Sequence, residues 1–294
     1  MIRTENLRKN YGAKPVLQGV DLHVHAGEIF GFVGPNGAGK TTFLKCLLGI
    51  VRPTSGTIEI AGQEAVGQPL LARQRCAYAP GETALYEQQT GMGFLNFSLA
   101  FHLHADAKQG RQLMEEFELP LHQKVREYSH GMRRKLLLAQ AIASNADILL
   151  LDEPMEGLDP EARRRVSDIL RKEAHAGKTV FYSSHDLSSV ERICDSVAFL
   201  NHGKILECAS ISEVLSKTSR AIQLIFNRAM TLEELPRAAT LHWAGGETRW
   251  SLNYEGTLAD ALFSLKDLPV LSVRDASTSL EEVFAALYTE EGAE

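Results

Sequence analysis

The sequence of 294 residues predicts an α/β fold: a parallel sheet with helices about it, interrupted by a helical insertion and followed by a small α+β domain. Three observations carry this expectation. "ADILLLDEP" and "KTVFYSSHD" are short apolar runs on either side of "PEARRRVSDILRKEAHAG", the βαβ pattern of parallel strands covered on both faces. "GEIFGFVGPNGAGKTTFLKCLLG" runs from an apolar strand through a glycine-rich loop into a helix. Beyond about residue 217 the rhythm changes to short strands alternating with short helices.

Taken in order, Val20, Leu22 and Val24 alternate with Asp21, His23 and His25, the period of a half-buried strand, and Ile29 to Val33 form a second, fully apolar strand. "KTTFLKCLLG" has helical spacing and stops at Gly49; "RPTSG" turns the chain into the strand "TIEI". From about residue 83 to 145 the pattern is mainly helical, with Phe94, Phe97 and Phe101 spaced to share one face. "DSVAFLNHGKILE" reads as a hairpin. In residues 217–294, "AIQLIF", "TLEELPRA", "TLHWA", "TRWSLNYE", "TLADALFSLKD" and "VLSVRDA" read as β, α, β, β, α, β, a ferredoxin-like order, with a final helix over "SLEEVFAALYTEE".

Composition narrows the function classes. With 44% hydrophobic and 23% charged residues the chain can bury one large or two ordinary cores, and a formal net charge of -6 gives no broad basic surface for nucleic acid. Cys46, Cys76, Cys194 and Cys208 lie far apart without Cys-x-x-Cys spacing, as reduced thiols do. No apolar run approaches the roughly 18 residues of a membrane span, and "MIRTENLRKN" lacks a signal-peptide core. A cytoplasmic chain is expected, with any membrane role exercised through a partner. His23 and His25 alternate with buried aliphatics on a solvated face, and the spacing of His102 and His104 separates them on a helix, so neither pair is expected to hold a metal.

The strongest chemical signal is residues 34–42, which fit G-x-x-x-x-G-K-[ST] with Gly34, Gly39, Lys40 and Thr41. Phosphate oxygens are held by several backbone N–H groups aimed inward, which requires glycines where a Cβ would obstruct, and by the positive end of a helix. The backbone of Gly34, Pro35, Asn36, Gly37, Ala38 and Gly39 supplies the loop, and Lys40, Thr41 and Thr42 open the helix. Lys40 is expected to reach the β and γ phosphates and Thr41 to ligate Mg²⁺. In "ILLLDEP", Asp152 ends an apolar strand and can hold Mg²⁺, while Glu153 is placed to polarise the attacking water.

The ordered set "GPNGAGKTT", "YSHGM", "LLLDEPMEGLD" and "SSHD" resembles the nucleotide-binding subunit of ATP-binding cassette (ABC) transporters over residues 1–216. The resemblance implies a P-loop NTPase with a RecA-like core, an antiparallel β subdomain and a helical subdomain near residues 83–145. Two subunits then close head to tail over two ATP molecules, as a homodimer or a heterodimer. It further implies that Tyr11 stacks on adenine, where the plain alternative is an edge-strand tyrosine, that Asp159 lies in the loop crossing between subunits, and that His185 touches the γ phosphate. Ser129, His130 and Gly131 match the signature loop that reaches the partner subunit's ATP.

Departures from the family pattern are equally specific. Gly81 stands where the family has a metal-contacting glutamine; Glu82 is either its substitute as a metal or water ligand or a solvated glutamate. Met155 and Glu156 replace small hydroxyl residues. "YSHGM" keeps Ser129 and Gly131, but Tyr128, His130 and Met132 replace a leucine, a glycine and a glutamine. A side chain at His130 is compatible with clamp chemistry if it points outward, since the serine hydroxyl, the backbone N–H groups and the helix end hold the phosphate. This variant signature, with "SLEEVF" at residues 279–284, resembles exporter subunits for lipids, drugs or polysaccharides.

The expected protein is thus an ATPase with ATP and Mg²⁺ as cofactors, peripheral on the inner face of the cell membrane and driving a separate integral membrane permease. Leu85, Tyr86, Phe94, Phe97 and Phe101 are expected either to receive a cytoplasmic helix of that permease or to pack the insertion. The alternatives are a soluble ABC ATPase acting on nucleic acid or the ribosome, disfavoured by the acidic balance, and a regulatory cassette with weak hydrolysis.

Overall fold

The computed structural model describes residues 1–82, 85–216, 220–238, 240–254, 257–275 and 279–291. Residues 83 and 217, where the insertion and the second domain are expected to begin, lie outside the described residues. The chain divides into two compact units, Met1–Ser210 and Ile211–Glu294.

The first unit holds two sheets. β1 (Ile2–Tyr11), β2 (Lys14–Val24), β4 (Ser55–Ile60) and the two-residue β5 (Gln63–Glu64) form an antiparallel sheet in the order β2-β1-β4-β5. In β2, Val20, Leu22 and Val24 are buried between exposed Asp21 and His23, so the alternation read from the sequence is the one observed. The second sheet runs β10-β9-β3-β8-β7-β6. Its parallel strands are β3 (Ile29–Val33), β6 (Cys76–Ala79), β7 (Ile148–Asp152), β8 (Thr179–Ser184) and β9 (Ser196–Asn201), and β10 (Lys204–Ser210) turns back antiparallel on β9. β3, β7 and β8 are buried at every position, as strands covered on both faces must be.

One apolar core joins the antiparallel sheet, α1 (Lys40–Leu47) and a face of the parallel sheet. Phe43 of α1 stacks on Phe32 at 4.8 Å and on Phe181 at 5.7 Å, locking the helix that follows the glycine loop onto β3 and β8. Each fully buried aromatic contributes roughly 1.5–3 kcal/mol by removal from water, so this cluster fixes the loop from behind.

The insertion carries α3 (Gly91–Leu99), α4 (Ala107–Glu116) and α5 (His130–Ala143). Phe94 is buried, but α3 ends at Leu99, so Phe101 falls beyond it and is 73% exposed. Tyr86, Phe97 and Phe101 form an edge-to-face chain at 5.2 Å per step on the surface. The shared helical face expected for the three phenylalanines is therefore split: one packs the insertion and two meet solvent. His102 and His104 also fall after α3, and burial lowers the His102 pKa. Among the elements not read from the sequence are α2 (Pro69–Arg75) and β6, whose four residues give too short an apolar run to stand out.

α6 (Pro160–His175) and α7 (Leu187–Ile193) complete the first unit. In the second, α8 (Ile211–Ser216) precedes β11 (Arg220–Phe226), β12 (Leu241–Gly246), β13 (Arg249–Tyr254), α9 (Leu258–Phe263), β14 (Val270–Asp275) and α10 (Leu280–Glu291). The sheet order is β12-β13-β11-β14 with every neighbour antiparallel, the arrangement of a split βαβ sheet. The helix expected over "TLEELPRA" is a single 3₁₀ turn, Leu232–Glu234. Thr231 and Glu234 cap it reciprocally, but Pro236 lacks an N–H and disfavours helix at Leu235, so propagation stops.

Candidate nucleotide-binding site

The carboxyl ends of β3, β8 and β7, three neighbours in the parallel sheet, carry the predicted residues to one place. Residues 34–39 leave β3 and enter α1. A Cβ at Gly34 would overlap the Leu200 carbonyl oxygen, and at Gly39, where φ is +115°, it would lie 2.9 Å from the Val16 oxygen. The tight turn therefore accepts only glycine at these two points, which is why the motif spacing is legible. Lys40, 6% exposed, donates to the Gly34 oxygen at 2.6 Å and the Pro35 oxygen at 3.3 Å, and lies 3.4 Å from Glu153 Oε1.

Asp152 at the end of β7 is 2% exposed and accepts from Thr41 Oγ1 at 2.8 Å and Ser183 Oγ at 3.0 Å. Glu153 follows with φ +51°, a left-handed conformation uncommon outside glycine. Its N–H donates to the Ser183 oxygen at 3.0 Å, which turns the side chain back over the strand ends. Glu153 Oε2 lies 3.0 Å from His185 Nδ1 and accepts the His185 N–H at 3.4 Å. Oε1 is buried with no hydrogen-bond partner among the described residues. Its nearest cationic neighbour is the Lys40 ammonium at 3.4 Å, too long for a strong hydrogen bond, so the oxygen keeps acceptor capacity for a donor brought by a ligand.

A cavity of about 860 Å³ opens over these groups, walled by Pro35, Asn36, Gly37, Gly39, Lys40, Thr41, Thr42, Asp152 and Glu153. Gly81 and Glu82 line it too. Tyr78 on the same wall has its phenol pushed up, first by burial and then by the adjacent Asp152 carboxylate. Tyr11, 49% exposed, is not on this wall; it pairs with Lys14 at the hairpin tip, and Lys14, Pro15 and Val16 are. Tyr78 and Ser183 were missed by sequence reasoning. Ser183 was at least signalled by "SSHD", whereas nothing marks Tyr78.

Ser129, His130, Gly131 and Asp159 lie off this cavity. Ser129 caps α5, accepting from the Met132 N–H at 3.2 Å, and Asp159 caps α6, accepting from Glu161 and Ala162 at 3.0 and 2.9 Å. Hydrogen bonding from Ala162, the largest cause, holds the Asp159 carboxyl below its usual range. His130 does not stand clear of its own chain: a Cβ at Gly157 would lie 2.5 Å from its Cδ2. Gly157 and Leu158 thus sit against the start of α5. Tyr128 is buried and donates to the Pro120 oxygen at 2.6 Å, an anchor a leucine cannot provide.

Comparison with known proteins gives the geometry its family. The model of the "ABC transporter" family matches residues 17–156. The Nod factor export ATP-binding protein I of Burkholderia orbicola is 36% identical over 96% of this chain and 95% of its own. The daunorubicin/doxorubicin resistance ATP-binding protein of Streptomyces peucetius is 32% identical over 97% of this chain and 92% of its own. A dimeric ATP-binding cassette in a post-hydrolysis state with ADP and Pi shares the fold, with a TM-score of 0.67 at 23% identity over 72% of this chain and 99% of that one. Near-complete coverage at this identity, together with a phosphate loop and two carboxylates at adjacent strand ends, places the chain in the ABC transporter family as one of its ATP-binding subunits.

Proposed function

We propose that the chain hydrolyses ATP with Mg²⁺, as a dimer, and so energises a separate integral membrane permease that exports its substrate. The observation that carries this reading is the convergence of Lys40, Thr41, Asp152, Glu153 and His185 at three neighbouring strand ends. The Thr41 hydroxyl and the Asp152 carboxylate are hard oxygen donors suited to Mg²⁺, which would neutralise phosphate charge when bound. The loop from Gly34 to Gly39 cradles the phosphates with its N–H groups, and Lys40 binds their terminal oxygens. Glu153 accepts the proton of the attacking water on Oε1, while His185, on Oε2, fixes the carboxylate's orientation and lies toward the γ phosphate. Glu82 stands on the wall where Gly81 removes the family's glutamine and holds a water or the metal there. Tyr11, at the hairpin tip, stacks on adenine.

A second subunit, a copy or a homologue, closes each site with Ser129, His130 and Gly131, and Asp159 crosses between subunits. The dimeric cassette of like fold supports that assembly. Relatives named for Nod factor export and for drug resistance support export as the direction. No helix among the described residues is long and apolar enough to cross a membrane, in keeping with a permease supplied separately at the inner face. Its cytoplasmic helix lies on the exposed Tyr86, Phe97 and Phe101, beside a second cavity of about 1100 Å³ that Phe101 lines together with Leu70, Leu103, Arg73, Arg75 and Asp147. Phe94, buried, does not take part.

The test is ATP turnover by the chain and by Glu153→Gln, with binding of a fluorescent ATP analogue measured in both. Loss of general-base assistance is expected to lower turnover ~100-fold or more with binding retained. No turnover in the unaltered chain would favour a regulatory cassette. Affinity capture from membranes should return an integral membrane protein; recovery of RNA or ribosomes instead would overturn the transport reading.

A further inference from the structure

Arg134 is a fully buried arginine, five residues after Ser129 on the same helix, α5. Its guanidinium donates to the Pro80 oxygen at 2.7 Å, the Gly81 oxygen at 2.5 Å and the Asp152 carbonyl at 3.4 Å, and meets Glu156 at 3.4 Å. Pro80 and Gly81 lie past the end of β6, in a turn where, among the described residues, no backbone N–H reaches either carbonyl. A Cβ at Gly81 would sit 3.5 Å from the Asp152 carboxylate, so this turn forms part of the wall beside the metal-binding candidate. One rigid fork therefore joins three segments: the helix that Ser129 caps, the turn at 80–81 and the end of β7.

A buried guanidinium is costly to desolvate, and an apolar residue would pack this position at lower cost. Burial is the leading influence on it and lowers its pKa, opposed by Glu156 first and then by Asp152 and Glu153. A lysine cannot replace it, because an ammonium lacks the planar, divergent donors that span separate carbonyls.

We propose that Arg134 is a positioning residue that couples the signature helix of each subunit to that subunit's own Asp152 and Glu153. The proposal rests on the hydrolytic reading above. A phosphate of the opposite subunit's ATP drawn onto Ser129 shifts α5, and the fork transmits that shift to the turn at 80–81 and to the carboxylate pair. ATP held at one site thereby sets the geometry of the other.

The experiment compares the full-length chain with Arg134→Lys and Arg134→Gln, by ATP turnover, binding of a fluorescent ATP analogue, amide exchange and thermal unfolding. Misplacement of catalytic groups by about an ångström lowers rates as much as ~100-fold. The expected result is therefore a kcat lower by at least ~10-fold, with KM and analogue affinity changed less than about threefold. Exchange at the amides of residues 78, 79, 81 and 82 is expected to speed selectively, while α1 and α6 keep their protection. Unaltered exchange at 78–82, or kcat retained in both variants, would overturn the proposal. So would faster exchange throughout, in step with a lowered unfolding midpoint, which would mark Arg134 as a support of the whole unit. Should the unaltered chain show no turnover, the hydrolytic reading fails separately and exchange at 78–82 decides whether Arg134 anchors the turn.

Discussion

Replacing Gly157 by alanine perturbs its contact with His130 at the start of α5. Gly157 has φ +73°, and a Cβ there would lie 2.5 Å from His130 Cδ2 and 3.2 Å from Nε2. The left-handed backbone alone costs alanine about 1–2 kcal/mol. Turning the exposed imidazole aside adds about 0.5–1.5 kcal/mol, the cost of a side chain held off its rotamer. Gly157→Ala is thus expected to destabilise the first unit by about 1.5–3.5 kcal/mol. His130→Gly removes an exposed ring and adds backbone freedom at the helix start, for about 0.5–1 kcal/mol. In the double variant the clash is gone and only the backbone costs remain, so the pair should be less destabilised than the sum by about 0.5–1.5 kcal/mol. Urea unfolding of the four chains measures this. Additivity within about 0.3 kcal/mol would refute the contact and return His130 to an outward, unengaged position.

Thr41→Val removes the hydroxyl donated to Asp152 Oδ2 and one oxygen of the proposed Mg²⁺ pair; turnover should fall ~100-fold, and raising Mg²⁺ should restore part of it if the loss is in metal affinity. Tyr128→Phe leaves the Pro120 carbonyl without its buried donor and should cost about 1–3 kcal/mol in urea unfolding, with no change in analogue binding. Under native conditions a thiol reagent should modify Cys208 alone, since Cys46 and Cys194 are buried and burial pushes the Cys76 thiol up to about 12; all four should react in denaturant. Reaction of more than one native thiol, counted by mass, would contradict the packing of the first unit.

Where a single residue type is dictated by a hard local constraint, the sequence alone was enough. Gly34 and Gly39 are spaced by overlaps with Leu200 and Val16, and Asp152 ends a run of four aliphatics, so both stand out without structural help. Helix starts were legible for the same reason, Asp159 followed by Pro160 being one. The features missed are those written in long-range contacts. Arg134 looks like one more cation in "MRRK", and only the fold shows it buried under Asp152. Phe94, Phe97 and Phe101 share a period, yet α3 ends before the last of them. Pro236 was the visible reason to expect no long helix after Thr231, and its weight against the helical composition of "TLEEL" was underestimated.

The parallel sheet has a consequence for the order of events in synthesis. Thr41 and Asp152 are 111 residues apart, and Asp152 and Ser183 a further 31, yet their side chains share one carboxylate. Asp152 can be fully satisfied only after the ribosome has released β8, and β3 waits for β8 to insert between it and β7. Contacts of such separation form late and slowly. Affinity for ATP is then a property of the completed sheet, and nucleotide, by binding only that state, acts as a thermodynamic proofreader of a finished chain.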